Sequence, residues 1–188
     1  IINGFQKQNP YLNLSGDTLA SFSSVAKDKT KQLEVEKGSN KFVWNMRTEG
    51  AEKLEGMILW WASLSGAKVV PGEYQVHLTI NKTSYQKPFE VLADPRAEVS
   101  VAQMKEQYDF VSEVNNTIDK AHKSIKKIRK LNVQLSSFVE QYEDTEAVSE
   151  LVVKAKELKE SFADIEKALY QTKNKSNQDP LNFPIKLT

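Results

Sequence analysis

Between Arg96 and Asp179 the chain contains neither glycine nor proline, and all seven glycines lie at or before Gly72. In a helix interior glycine costs about 1 kcal/mol relative to alanine and proline about 3 kcal/mol. A long stretch free of both confines the back half to extended helices, while the front half holds the turn residues of a β domain. The expected fold class is α+β in two parts. An immunoglobulin or fibronectin-III-like antiparallel β-sandwich over residues 1–94 precedes a long antiparallel α-helical hairpin over residues 95–188, with helices at about 100–140 and 144–172 and an extended C-terminal strip.

The helical reading rests on period. Ser100 with Gln103 forms a capping box at the start of the first helix. Apolar residues then recur mostly at steps of three and four from Val101 through Phe138. In the second helix Val148, Leu151, Ala155, Leu158, Phe162, Ile165 and Leu169 predict a coiled-coil seam, with Asp144 or Thr145 as its N-cap. Two such stripes stay dry by folding against each other. That pairing would set Lys120, Lys123, Lys126, Lys127, Arg129 and Lys130 opposite Glu150, Glu157, Glu160 and Asp164. Leu181, Phe183 and Ile185 of the C-terminal strip are expected to pack on the bundle.

In the front half, Tyr74, Val76, Leu78 and Ile80 alternate with Gln75, His77 and Thr79, the period of a strand with one buried face. Asn81-Lys82 suits a tight hairpin into residues 83–92, and Pro88 marks that second strand as an edge or a bulge. Further strands are expected at residues 19–23, 32–36, 41–46 and 57–62, with a short one at 11–14.

Composition narrows the chemistry. Cysteine is absent, which removes disulfides, thiolate catalysis and sulfur-ligated metals. The formal charge of +1 offers no global field for nucleic acid, and the basic run 120–130 lacks interleaved aromatics. No apolar run reaches the roughly 20 residues of a membrane span. His77 and His122 come without a metalloprotease spacing, no glycine-rich phosphate loop occurs, and acids on the helices read as solvated faces. No catalytic, cofactor or metal residue is therefore assigned. Trp60 and Trp61 are the candidate ligand or partner contacts. As neighbours on a strand they would point to opposite faces, leaving one exposed to stack on a sugar or a protein.

One ordered set of segments carries a resemblance: 40–47 (NKFVWNMR), 70–79 (VPGEYQVHLT), Phe89-Glu90-Val91 with Asp94-Pro95-Arg96, and 179–187 (DPLNFPIKL). From about Leu19 onward the chain resembles the C-terminal region of large exported bacterial proteins, notably of Bacteroidetes, with sortilin-like, BNR-repeat β-propellers called glycosyl hydrolases. The resemblance implies an upstream propeller that holds any active site, and a chain reaching the periplasm, cell surface or medium as part of that protein. It transfers no catalytic residue, because no Asp-box repeat occurs here. The expected role is a non-catalytic accessory or scaffold module that docks the propeller or another protein. A carbohydrate-binding module using an exposed Trp is the alternative, and an independent hydrolase has no support in the residues.

Overall fold

The computed structural model describes the backbone of residues 2–7 and all of residues 18–27, 32–60 and 62–186. Two compact units share the chain. One joins Ile1–Gly50 to Ser65–Glu113, and the other joins Ala51–Leu64 to Val114–Thr188.

In the first unit, strands β1 (Ile2–Lys7), β2 (Thr18–Phe22), β3 (Gly72–Ile80) and β4 (Thr83–Val91) form one antiparallel sheet in the order β2-β1-β3-β4. β3 and β4 pair without interruption from Gly72↔Val91 to Ile80↔Thr83. The two turn residues between them, Asn81 and Lys82, have φ of 48° and 71°. Positive φ at both positions matches the right-handed twist of a hairpin, and Asn tolerates it well. Pro88 lies on β4, an edge strand, where a missing donor costs no ladder bond to a further neighbour. β1 runs between β2 and β3, with register shifts between Ile2 and Phe5. Asn3-Gly4 sits at this irregularity.

This is not a β-sandwich. Among the described residues there is a single sheet, and residues 32–36, 41–46 and 57–60 form no strand. The expected strand at 11–14 lies outside the described residues. The alternating aromatics at 41–46 serve side-chain packing rather than a ladder. Phe42 lies against Phe22 at 4.7 Å between centroids, and Trp44 meets Tyr74 at 6.3 Å and Phe89 at 6.4 Å, edge to face. Met46, the third member of that pattern, is exposed and has φ of 57°. Backbone bonds from Thr48 N–H to the Ala67 carbonyl and from Val69 N–H to the Met46 carbonyl hold this segment to residues 65–69. Gly66 permits the approach: a Cβ there would lie 2.0 Å from the Thr48 oxygen.

The core of this unit sits at one end of the sheet. Leu19, Val69, Tyr74 and Val91 are buried together, with Trp44 and Phe89 against them. Tyr74 is 1% exposed and its hydroxyl donates to the Val70 carbonyl. The other end of the hairpin is wet, and Ile80 and Tyr85 are exposed. Alternation therefore marks the strand, but of its alternating residues Tyr74 is buried, Val76 and Leu78 are half-buried and Ile80 is exposed.

Helices dominate the second unit. α1 (Val101–Tyr142) begins in the first unit and continues through the second; α2 is Ser149–Leu169. The Ser100–Gln103 capping box is formed: Ser100 N–H donates to Gln103 Oε1 at 3.0 Å and Gln103 N–H to Ser100 Oγ at 3.3 Å. A 3-10 turn at Glu146–Val148 leads into α2, and neither Thr145 nor Val148 caps it with a side chain.

The two helices run antiparallel. Ile125 packs with Tyr170, Arg129 pairs with Glu166, Val139 packs with Val152 and Ala155, and Glu143 pairs with Lys156. The contact face of α2 differs from the expected seam. Val152 (5% exposed) and Ala155 (6%) are buried, whereas Leu151, Leu158 and Ile165 are 54%, 44% and 47% exposed. The face turned to α1 is Val152, Ala155, Lys159, Phe162, Glu166 and Leu169, all buried or half-buried. Ala155, Phe162 and Leu169 belong to both readings, and α2 is rotated about that shared edge. The rotation sets Glu166 against Arg129 (Nε···Oε1 2.8 Å) and Tyr170 under the same guanidinium at 5.3 Å. The expected facing of the lysines and the α2 acids is corrected accordingly. Arg129–Glu166 and Lys156–Glu143 are the cross-helix pairs among the described residues.

The C-terminal strip also departs from expectation. Asp179–Leu181 is a 3-10 turn with Pro180 buried, while Leu181 is 68% and Phe183 36% exposed. The Asp179 carboxylate takes the Lys175 and Ser176 amides and the Ser176 hydroxyl, at 2.6 to 2.8 Å. These backbone and side-chain donors hold its carboxyl below the usual carboxylate range.

Candidate functional site

Two features of the helical unit offer surfaces for recognition. The first is the segment Ala51–Leu64, within which the sequence predicts a strand at residues 57–62. Among its described residues it has no strand; it lies on α1 and is held by Glu52. Glu52 N–H donates to Asp119 Oδ1 at 3.1 Å, its carbonyl accepts from His122 Nδ1, and its carboxylate accepts from Lys126 Nζ. Asp119, His122 and Lys126 stand at i, i+3 and i+7, which one helix face presents together. Because a carbonyl only accepts, Nδ1 of His122 carries the proton. His122 is fully buried, and its Nε2 meets no hydrogen-bond partner among the described residues. The Lys123 ammonium (2.6 Å) and then the Glu52 amide hold the Asp119 carboxyl below its ordinary range, against an opposing push from burial. Beyond Glu52, Leu54 (1% exposed) and Met57 (7%) bury against Ile125 and Tyr170.

This anchored segment leads to Trp60, which is 43% exposed with φ of 52°. A bulky residue in the left-handed region carries backbone strain. The argument that adjacent tryptophans point to opposite faces of a strand fails here, since residues 57–60 form none. Trp61 lies outside the described residues. The Glu52 clamp went unseen in sequence because its partners are some 70 positions apart; only the spacing of Asp119, His122 and Lys126 hinted at a shared face.

The second feature is the uncovered side of α2. Leu151, Leu158 and Ile165 follow one another at intervals of seven, so they stand in line along the helix. Large aliphatic side chains in such a line are ordinarily covered. The outer face of α1 is different in kind. Lys120, Lys127 and Lys130 are exposed and make no ion pair among the described residues.

Elsewhere the geometry is structural. In the first unit, a cleft of about 250 Å³ lies between residues 20–22, 45–50 and 65–66. Its charged groups are engaged: Arg47 donates to the Gly66 carbonyl at 2.9 Å, and Glu49 accepts from the Ser21 amide at 3.2 Å. His77 is hydrogen-bonded to Gln75 at 2.8 Å. Among the described residues no cluster of three or more His, Asp or Glu could hold a metal, and no helix is long and apolar enough to cross a membrane.

No protein-family model, no curated protein and no solved structure matches this chain.

Proposed function

We propose that this chain is a non-catalytic accessory module that docks another protein surface, as part of a larger exported propeller protein of the group its sequence resembles. The observation that carries the docking role is the line Leu151, Leu158 and Ile165, each 44% to 54% exposed. Burying apolar surface yields roughly 25 cal/mol per Å², so three aliphatic side chains in register form a usable anchor for a partner helix or a shallow groove. A photo-crosslinking residue in place of Leu158, introduced into the full-length protein, tests this. Capture of a defined protein surface is the expected result; a residue quenched only by solvent refutes docking.

A second reading, binding of a glycan through Trp60, is favoured by the exposure of that ring on an anchored segment. Trp60→Ala should then abolish glycan affinity while leaving the helical content unchanged.

A further inference from the structure

We propose that the helical unit pairs with a second copy of itself, two hairpins lying antiparallel and joined through the Leu151–Leu158–Ile165 line. The inference rests on the docking reading and names its occupant. Two observations carry it.

The first is symmetry. The line is centred on Leu158, with an equivalent apolar residue seven positions to either side. Two copies of α2 crossing antiparallel at Leu158 therefore set Leu151 of each against Ile165 of the other. An isologous interface requires such a self-complementary patch. By helical period, Leu131 and Phe138 of α1, both half-buried, lie on the same side of the hairpin and widen the patch. The Ala51–Leu64 segment, gripped by Asp119, His122 and Lys126, occupies the other side of α1 and leaves this one open.

The second is charge. Residues 119–130 carry six Lys or Arg against one acid, while residues 140–150, around the hairpin tip, carry five acids and no Lys or Arg. Each hairpin is thus basic along its shaft and acidic at its tip. Parallel association would align like charges. Antiparallel association brings Asp144 and Glu146 of one copy beside Lys127 and Lys130 of the other, which steers encounter and fixes orientation.

Sedimentation velocity of the 188-residue chain over a range of concentrations tests the proposal. The expected result is a concentration-dependent species of twice the 21.3 kDa chain mass, weakened by salt. Leu158→Glu places a charge at the centre of the interface and should weaken pairing on the order of 100-fold without loss of helicity. Two charge-reversed variants probe orientation independently. One carries Lys120→Glu, Lys127→Glu and Lys130→Glu; the other carries Asp144→Lys, Glu146→Lys and Glu150→Lys. Each alone should be monomeric, and their mixture should form a heterodimer. A chain that stays monomeric at every concentration overturns the proposal, as does a dimer indifferent to Leu158→Glu or a mixture that does not pair. Crosslinks from position 158 to a different segment of the full-length protein would overturn self-pairing while leaving the docking reading intact.

Discussion

Aspartate placed at Leu151 or at Val152 separates two orientations of α2 with one pair of neighbouring substitutions. Val152 is 5% exposed and packs on Val139 and Ala155. Removing it forfeits about 1.5–3 kcal/mol of burial. Desolvating a carboxylate in that apolar contact costs several kcal/mol more. A total of at least ~4 kcal/mol is a large share of the ~5–15 kcal/mol that stabilises a typical domain, so Val152→Asp should unfold the hairpin or nearly so. Leu151 is 54% exposed and lies in the first turn of α2. An acid at a helix N-terminus gains about 0.3–1 kcal/mol, which offsets the loss of a half-exposed leucine. Leu151→Asp should therefore change stability by no more than about 1 kcal/mol. Urea unfolding followed by far-UV circular dichroism, in dilute solution where self-pairing does not contribute, measures both. If Leu151→Asp proves as damaging as Val152→Asp, α2 faces α1 through the Leu151–Leu158–Ile165 line and the orientation described here is wrong.

Three other outcomes follow from the packing. Burial first, and then Tyr108, push the Tyr74 hydroxyl up to about 12 from 10.0. The unfolded chain loses that proton first, so the stability Tyr74 contributes is intact below about pH 10 and is lost as pH rises toward 12; Tyr74→Phe should flatten the alkaline limb of a stability–pH curve. Leu54→Ala, at a side chain 1% exposed, should cost about 2–5 kcal/mol and raise amide exchange across residues 51–64 more than elsewhere in the helical unit. Gly66→Ala drives a Cβ into the Thr48 oxygen, 2.0 Å away, and should lower the melting temperature, with exchange rising at residues 45–49.

Much of the local structure could be read from the residues. The capping box at Ser100, the two helices in a stretch without Gly or Pro, and the Asn81-Lys82 hairpin are short-range properties. Each depends on backbone and side-chain chemistry within a few positions. The errors arose where one pattern served two neighbours. Phe42, Trp44 and Met46 alternate like a strand, but Phe42 and Trp44 answer to rings on Phe22, Tyr74 and Phe89. Met57 to Trp60 looked like sheet, yet Met57 buries against Ile125 and Tyr170. β1 is not among the strands expected from sequence, and its pairing shifts register across Asn3-Gly4. Of the two candidate tryptophans, the sequence could name Trp60 but could not foresee the Glu52 clamp on the segment that carries it.

What the residues determined alone is where the chain is helical, where it turns at Asn81-Lys82, and that each helix carries an apolar stripe. Periodicity settles those matters, because it acts within a turn or two of backbone. Only tertiary packing decided that the strands make one sheet, that Ala51–Leu64 joins the helices, and which leucines of α2 stay uncovered. Those choices turn on which partners meet: Arg129 with Glu166, Glu52 with Asp119 and His122, Val139 with Val152. Spacing within one segment marks a face but does not name the segment that will cover it.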